Sequence, residues 1–186
     1  MPRNKQKTNV AAVVVTYNRL ALLKRCVGCL RGQTALCDIL IVNNASTDGT
    51  EEWLAAQADL LSRNTGSNLG GAGGFNYGMR WAVEAEFDYV WVMDDDTLPK
   101  PDALEKLLEA NGLLKGDYGW LSSVALWTDG SSLFISEERA PICQLKQGGI
   151  IRLWITALLY RPGMRKALLH PSWIPFSTRA CSRKKS

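Results

Sequence analysis

Hydrophobic residues follow two alternating patterns in the first two thirds of the chain. Continuous apolar runs at Val10–Thr16 and 39–42 predict β-strands buried on both faces, because a strand covered by helices on each side is apolar at every position. Between them, Leu20 and Val27 belong to a helical repeat that ends at Gly32. The chain therefore begins as strand, helix, strand.

The same alternation continues to about residue 127. Asp48 and Glu51 have the spacing of a capping box and predict a second helix. The remaining predicted elements are a short strand at 60–61, a loop rich in Gly and Asn at 64–74, a helix at 75–86, a strand around Tyr89, a helix at 101–111 and a strand at 118–127. This order predicts an α/β fold with a mainly parallel sheet and right-handed crossovers.

Beyond this point the pattern weakens, and segment 150–160 is compatible with a short helix or a strand. We expect a basic tail at 1–8, a main domain at 9–127, and an incomplete or divergent segment with a basic tail at 128–186.

Composition indicates an ordinary globular chain. Its 186 residues are 46% hydrophobic and carry a net charge of +4, with basic residues concentrated at both ends. We expect these tails to be solvated; contact with an anionic membrane surface is the weaker alternative, and no signature of nucleic-acid binding accompanies them.

The cysteines and the lengths of the apolar runs indicate where in the cell the protein is located. Cys26 and Cys29 form a C-x-x-C pair within the first predicted helix, which favours unreactive core cysteines over a redox or zinc site. The chain lacks an apolar signal region and a run long enough to span a membrane. We therefore expect a cytoplasmic protein, with the inner face of the cell membrane as the place of any peripheral contact.

The strongest chemical signal is the acidic end of the strand in 87–96. Asp94, Asp95 and Asp96 follow five apolar residues, at the sheet edge where α/β proteins bind ligands. In an extended chain Asp94 and Asp96 lie on one side and Asp95 on the other, which suits a hard divalent cation completed by substrate phosphates and water. The alternative is a solvated acidic turn.

Other polar residues follow the neighbouring strands. Thr16, Asn18 and Arg19 come after the first strand and Asn43 ends the second, where short polar groups can bind a base and ribose and an arginine can bind a phosphate. Before the third predicted helix, the glycine-rich segment could bring backbone N–H groups close to a ligand or could be a flexible loop. The residues of this segment that we expect at the ligand are Asn68, Gly70, Gly71 and Gly73.

Taken together, segments 13–19, 41–50, 68–75 and 93–96 resemble the family 2 glycosyltransferases with a GT-A fold, a Rossmann-like nucleotide-diphospho-sugar transferase fold. They look most like the galactofuranosyl- and rhamnosyl-transferase branch. The resemblance covers roughly residues 9 to 127 and implies a UDP- or dTDP-sugar donor, Mg²⁺ or Mn²⁺, and a glycan or lipid-linked acceptor in cell-wall or other cell-surface synthesis.

By matching position, the resemblance implies that Thr16, Asn18 and Asn43 line the base pocket, with Asn43 replacing a common aspartate. Arg19 and the 68–74 segment would lie near the diphosphate and sugar. It also implies that Asp94 and Asp95 face the ribose and sugar, while Asp96 holds the metal with Asp94 as a second ligand.

The implied reaction is inversion at the anomeric carbon, in which a carboxylate base deprotonates the acceptor hydroxyl. No residue is assigned as that base: Glu137 and Glu138 match no motif, and His170 lies among prolines. A truncated gene product is therefore an expectation, and a nucleotide-sugar-binding fragment without transfer activity is an alternative. A sugar nucleotidyltransferase is a less favoured one, because the first strand lacks a glycine-rich loop after it.

Overall fold

A computed structural model describes residues 9–115, 120–123 and 158–160. The described residues form a six-stranded sheet in the order β3-β2-β1-β4-β6-β5. The strands are β1 (Val10–Thr16), β2 (Asp38–Asn43), β3 (Leu60–Asn64), β4 (Tyr89–Asp94), β5 (Trp120–Ser122) and β6 (Leu158–Tyr160); the helices are α1 (Leu20–Arg31), α2 (Thr50–Ala55), α3 (Gly70–Glu84) and α4 (Ala103–Leu113).

Strand β1 lies at the centre of the fold because every one of its side chains is buried. It pairs in parallel with β2 on one side and β4 on the other, and β2 pairs in parallel with β3. Alternate residues of β1 enter two separate cores, as the period of an extended chain requires. Helices α1 and α4 pack on one face and α3 on the other. The predicted mainly parallel α/β sheet is therefore confirmed.

Helix α3 begins at Gly70, so the prediction of a loop through residue 74 and a helix from residue 75 is wrong at its start. Two of its glycines lie directly on β1. A Cβ atom on Gly74 would come within 2.5 Å of Val15 Cγ1, and one on Gly78 within 2.4 Å of Val13 Cγ1. These glycines therefore serve close packing of helix on sheet.

The predicted capping box of α2 is also wrong in detail. The helix begins at Thr50 after Gly49, which has a φ of 85° and, as a glycine, has no side chain to act as a cap. Asp48 instead accepts hydrogen bonds from the amide and hydroxyl of Thr50 and from the amide of Leu20. The Glu51 side chain bonds Asn43 rather than its own helix end.

The edges of the sheet combine distant parts of the chain. Strand β6 pairs antiparallel with β4 and with β5, so residues 158–160 join the same sheet as the predicted main domain. The boundary at 127–128 stays a prediction. Within the described ranges, no helix has both the length and the apolar character needed to cross a membrane.

Several predictions concern residues outside the described ranges. They include both basic tails, Glu137, Glu138, His170, and most of the segments at 118–127 and 150–160.

Candidate functional site

The predicted site residues gather along one edge of the sheet, where the parallel strands β1 to β4 end. Thr16 ends β1, Asn43 ends β2, and Asp94 ends β4. The loop after β1 and the start of α3 complete this edge, which is the usual ligand-binding edge of an open α/β sheet. It divides into two parts of different chemistry.

The first part is an acidic cluster at the ends of β1 and β4. Strand β4 ends at Asp94, and a turn closed by the hydrogen bond from the Thr97 amide to the Asp94 carbonyl carries the next two carboxylates. Asp95 is 3% exposed and accepts a 2.7 Å hydrogen bond from the Thr16 hydroxyl. Because Thr16 is itself buried and bonded to Asp95, its contribution here is to orient that carboxylate. The predicted contact of Thr16 with a base stays a prediction.

Arg19 joins the acidic cluster from the loop after β1. Its Nη1 atom lies 3.4 Å from Asp95 Oδ1 and 3.1 Å from Asp96 Oδ2. The guanidinium is about half exposed, and so is the Asp96 carboxylate. Arg19 therefore has room to contact a further anion, and its predicted role at a diphosphate stays a prediction.

Negative charge exceeds positive charge in the acidic cluster. Burial, followed by repulsion from Asp96 and Asp95, raises the pKa of Asp94 to about 6. Burial also raises the pKa of Asp95, although the hydrogen bond from Thr16 and the charge of Arg19 oppose that shift. One arginine thus balances three neighbouring carboxylates only in part.

This donor set fits a hard divalent cation. Oxygen ligands from one or two carboxylates, completed by substrate phosphates and water, suit Mg²⁺ or Mn²⁺. Across the described ranges no three His, Cys, Asp or Glu side chains are arranged to hold a metal by themselves. A cation here would therefore need ligands from a bound substrate as well as from Asp94 and Asp96.

The neighbouring cysteine takes no part in this chemistry. Cys26 is buried beside the backbone of Asp94, and burial raises the pKa of its thiol to about 12. Its high pKa is typical of a structural cysteine, in agreement with the prediction for Cys26, whereas Cys29 is only partly buried.

Asn18 connects the β1 loop to the loop after β2. Its backbone is in the left-handed region, with a φ of 53°. Its side-chain oxygen accepts a 2.7 Å hydrogen bond from the backbone amide of Thr47, and its backbone amide donates to the Ser46 hydroxyl. These bonds fix the two loops relative to each other, while the predicted contact of Asn18 with a base is untested.

The second part of the edge is an amide cluster at the ends of β2 and β3. Asn43 is fully buried, donates from Nδ2 to Glu51 Oε2, and accepts from the Ser46 amide. Asn64 donates to the same Glu51 oxygen at 2.9 Å. Sequence reasoning assigned Asn43 to a base contact and missed Glu51 and Asn64. The pairing of Asn43 with Asn64 in the β2–β3 register is what brings them together.

Asn44 anchors the start of α3 to this amide cluster. It is 2% exposed, accepts from the Leu69 amide and the Thr65 hydroxyl, and donates to the Gly70 carbonyl. Asn68 accepts from the Gly70 amide and from Asn44. The φ of 69° at Gly70 permits this tight entry into the helix. The glycine-rich segment is therefore held in place by the buried amide of Asn44 and the exposed amide of Asn68.

A separate groove of about 460 Å³ lies between β3 and α3. Arg63 stacks on the Trp81 ring there, 4.5 Å from its centroid, and pairs with Glu84 at 3.7 Å. Of the predicted site residues, Gly73 contributes to its lining. No residue of the acidic cluster lines this groove, and neither do Asn43, Asn44, Glu51 or Asn64 of the amide cluster.

Comparison with known proteins places this arrangement in a family. The model described as "Glycosyl transferase family 2" matches residues 11–111. An undecaprenyl-phosphate mannosyltransferase of Micrococcus luteus is 36% identical over 107 residues, covering 54% of this chain and 43% of the relative. A galactofuranosyltransferase of Mycobacterium tuberculosis is 42% identical over 92 residues, covering 47% and 30%. The chain spans less than half the length of these relatives.

Solved structures with the same fold include a mannosyltransferase and S. aureus TarS. The mannosyltransferase PcManGT of Pyrobaculum calidifontis, in complex with GDP-Man and Mn²⁺, has a TM-score of 0.52 at 23% identity. The aligned part covers 64% of this chain and 36% of the PcManGT chain. S. aureus TarS 1–349 in complex with UDP has a TM-score of 0.60 at 22% identity and covers 82% and 46%. The predicted GT-A fold is confirmed.

Proposed function

The chain belongs to glycosyl transferase family 2, and from this membership we propose that it transfers a sugar from a nucleotide-sugar donor. The donor is a UDP- or dTDP-sugar, and the acceptor is a cell-surface glycan or a lipid-linked precursor. Transfer inverts the anomeric carbon and depends on Mg²⁺ or Mn²⁺. We place this reaction in the cytoplasm, at the inner face of the cell membrane.

The observation that carries this proposal is the acidic cluster at the carboxyl ends of β1 and β4. Its negative charge is only partly balanced by Arg19, so it favours a cation and the phosphates bound to one. A solved structure of the same fold is described with GDP-Man and Mn²⁺, which supports a metal-dependent donor site.

Each residue of this cluster would bind a different part of the donor or the cation. Asp94 and Asp96 would hold the cation, Asp95 would contact the ribose or sugar, and Arg19 would approach the diphosphate beside them. When bound, the cation would stabilise the charge of the departing nucleoside diphosphate. The hydrogen bond from Thr16 keeps Asp95 in one orientation, so binding need not order that side chain again.

The base that would deprotonate the acceptor has no counterpart assigned among the described residues. Transfer therefore also requires a group from elsewhere in the chain or from the acceptor side, positioned within hydrogen-bond reach of the attacking hydroxyl.

Release of UDP or dTDP from candidate sugar nucleotides, measured with and without glycan or lipid-linked acceptors, tests this proposal. Acceptor-dependent release with Mn²⁺ is the expected result for a transferase. Donor binding without acceptor-dependent release would replace it with the alternative of a nucleotide-sugar-binding protein without transfer activity. A protein that binds no nucleotide sugar would contradict both.

A further inference from the structure

Glu51 lies where the base of a bound nucleotide would reach the amide cluster. If a diphosphate binds at the acidic cluster of β1 and β4, the junction of β2 and β3 lies two strand spacings away, about 10 Å. The ribose and base of a nucleotide cover such a span along the sheet edge. This step rests on the proposed function, because it takes the acidic cluster as the diphosphate site.

Asn43 offers a base no exposed polar atom in this arrangement. It is fully buried, its Nδ2 donates to Glu51, and its Oδ1 accepts from the Ser46 amide. The side chain that it supports is exposed: Glu51 projects from the first turn of α2 across the ends of β2 and β3.

Glu51 is held with one oxygen engaged and the other available. Both Asn43 and Asn64 donate to Oε2, and no donor among residues 9–115 bonds Oε1. The two amide bonds fix the orientation of the carboxylate. Asn64 also retains a second N–H beside it, because an amide nitrogen carries two hydrogens. The site thus presents an acceptor next to a donor.

We propose that Glu51 recognises the donor base by accepting a hydrogen bond from a ring N–H. Uracil and thymine carry such an N–H next to a carbonyl, which matches the acceptor of Glu51 and the donor of Asn64. Cytosine and adenine present a ring nitrogen lone pair at that position, which the carboxylate repels. Guanine also has a ring N–H beside a carbonyl, so this contact rejects cytosine and adenine and leaves discrimination by ring size to other residues.

The test compares UDP with CDP, since the two differ at this edge of the base and share ribose and diphosphate. Calorimetric titrations with Mn²⁺ should show that the wild type binds UDP at least tenfold more tightly than CDP, because a site that hydrogen-bonds a donor rejects an analogue lacking it. Glu51→Gln keeps an oxygen for Asn43 and Asn64 but turns an N–H₂ toward the base. It should lower UDP affinity about tenfold or more and raise CDP affinity, so that the preference is lost or reversed.

Glu52→Gln is the matched control, because Glu52 is the exposed neighbour on the same helix. It should keep the wild-type preference. Thermal melts of all three proteins distinguish loss of recognition from loss of folding: Glu51→Gln is expected to melt within a few degrees of the wild type.

Each failure has a different meaning. An unchanged UDP-to-CDP ratio in Glu51→Gln, or equal binding of UDP and CDP by the wild type, would overturn the role of Glu51 and leave the proposed function standing. A wild type that binds no nucleotide with Mn²⁺ would overturn the proposed function, and this inference with it.

Discussion

The two clusters at the carboxyl edge of the sheet are built on opposite principles. In the acidic cluster, Asp94 and its two neighbours share one arginine, and burial together with repulsion from those neighbours raises the pKa of Asp94 to about 6. In the amide cluster, Asn43 and Asn44 are buried with both ends of each amide hydrogen-bonded. The first gains from adding a ligand, whereas the two buried asparagines of the second already have hydrogen-bond partners and fix the loops around them.

This difference predicts that the buried asparagines of the amide cluster determine stability and that the acidic cluster determines metal-dependent binding of the diphosphate. A buried, satisfied amide is costly to remove because its partners are left without hydrogen bonds. An exposed carboxylate among like charges is cheap to remove. Substitutions in the two clusters should therefore affect different measurements.

The largest effect on stability is expected from Asn44→Ala. The substitution leaves the Leu69 amide and the Gly70 carbonyl without their partner, which should lower the free energy of unfolding by about 3 kcal/mol. Urea unfolding monitored by tryptophan fluorescence measures it. Asn76→Ala, on the same helix, is the control and should stay within about 0.5 kcal/mol of the wild type. A stability loss as small as that of the control would show that the amide cluster is not the anchor of α3.

A smaller effect with the opposite sign is expected from Asp94→Asn. The folded pKa of about 6 lies above the ordinary value of 3.8, so the native state binds more protons than the unfolded state between these values. Wild-type stability should therefore fall as pH rises from about 4 to about 6 through this group, and the neutral variant should escape that loss.

In the presence of a chelator, Asp94→Asn should be more stable than the wild type by about 1 kcal/mol at pH 7. This value allows for solvent screening of a partly exposed group. At pH 4 the two proteins should be about equally stable. Urea unfolding at both pH values measures the difference. A variant that is less stable than the wild type at pH 7 would mean that Asp94 makes a favourable interaction which outweighs the repulsion.

The sequence predicts the bounds of β1 better than it predicts the structure of the glycine-rich segment. Val10–Thr16 is confirmed with its bounds, because a continuous apolar run rich in β-branched residues has few other stable environments. The sequence predicts the start of α3 too late, because Gly is a poor helix former by itself. The close approach of Val15, which favours Gly74, is a tertiary contact. Strand β6 depends on pairing with β4 across more than sixty residues, which local patterns do not contain.

The candidate site shows a similar division. The acidic run could be placed at the end of a strand from local sequence, and the structure adds that Arg19 and Thr16 are its partners. Glu51 was assigned to a helix cap because its spacing from Asp48 fitted one. Its bonds to Asn43 and Asn64 depend on strand pairing and could not be inferred from spacing.

If the acidic cluster binds a nucleoside diphosphate through a divalent cation, calorimetric titration with UDP should show a dependence on that cation. With Mn²⁺ we expect binding at least tenfold tighter than in chelator, because ionised carboxylates otherwise repel the diphosphate. Asp96→Asn should abolish that difference without loss of stability, whereas Asp102→Asn, which alters another exposed carboxylate, should retain it. Equal UDP affinity with Mn²⁺ and in the presence of a chelator would contradict metal-mediated binding at the acidic cluster.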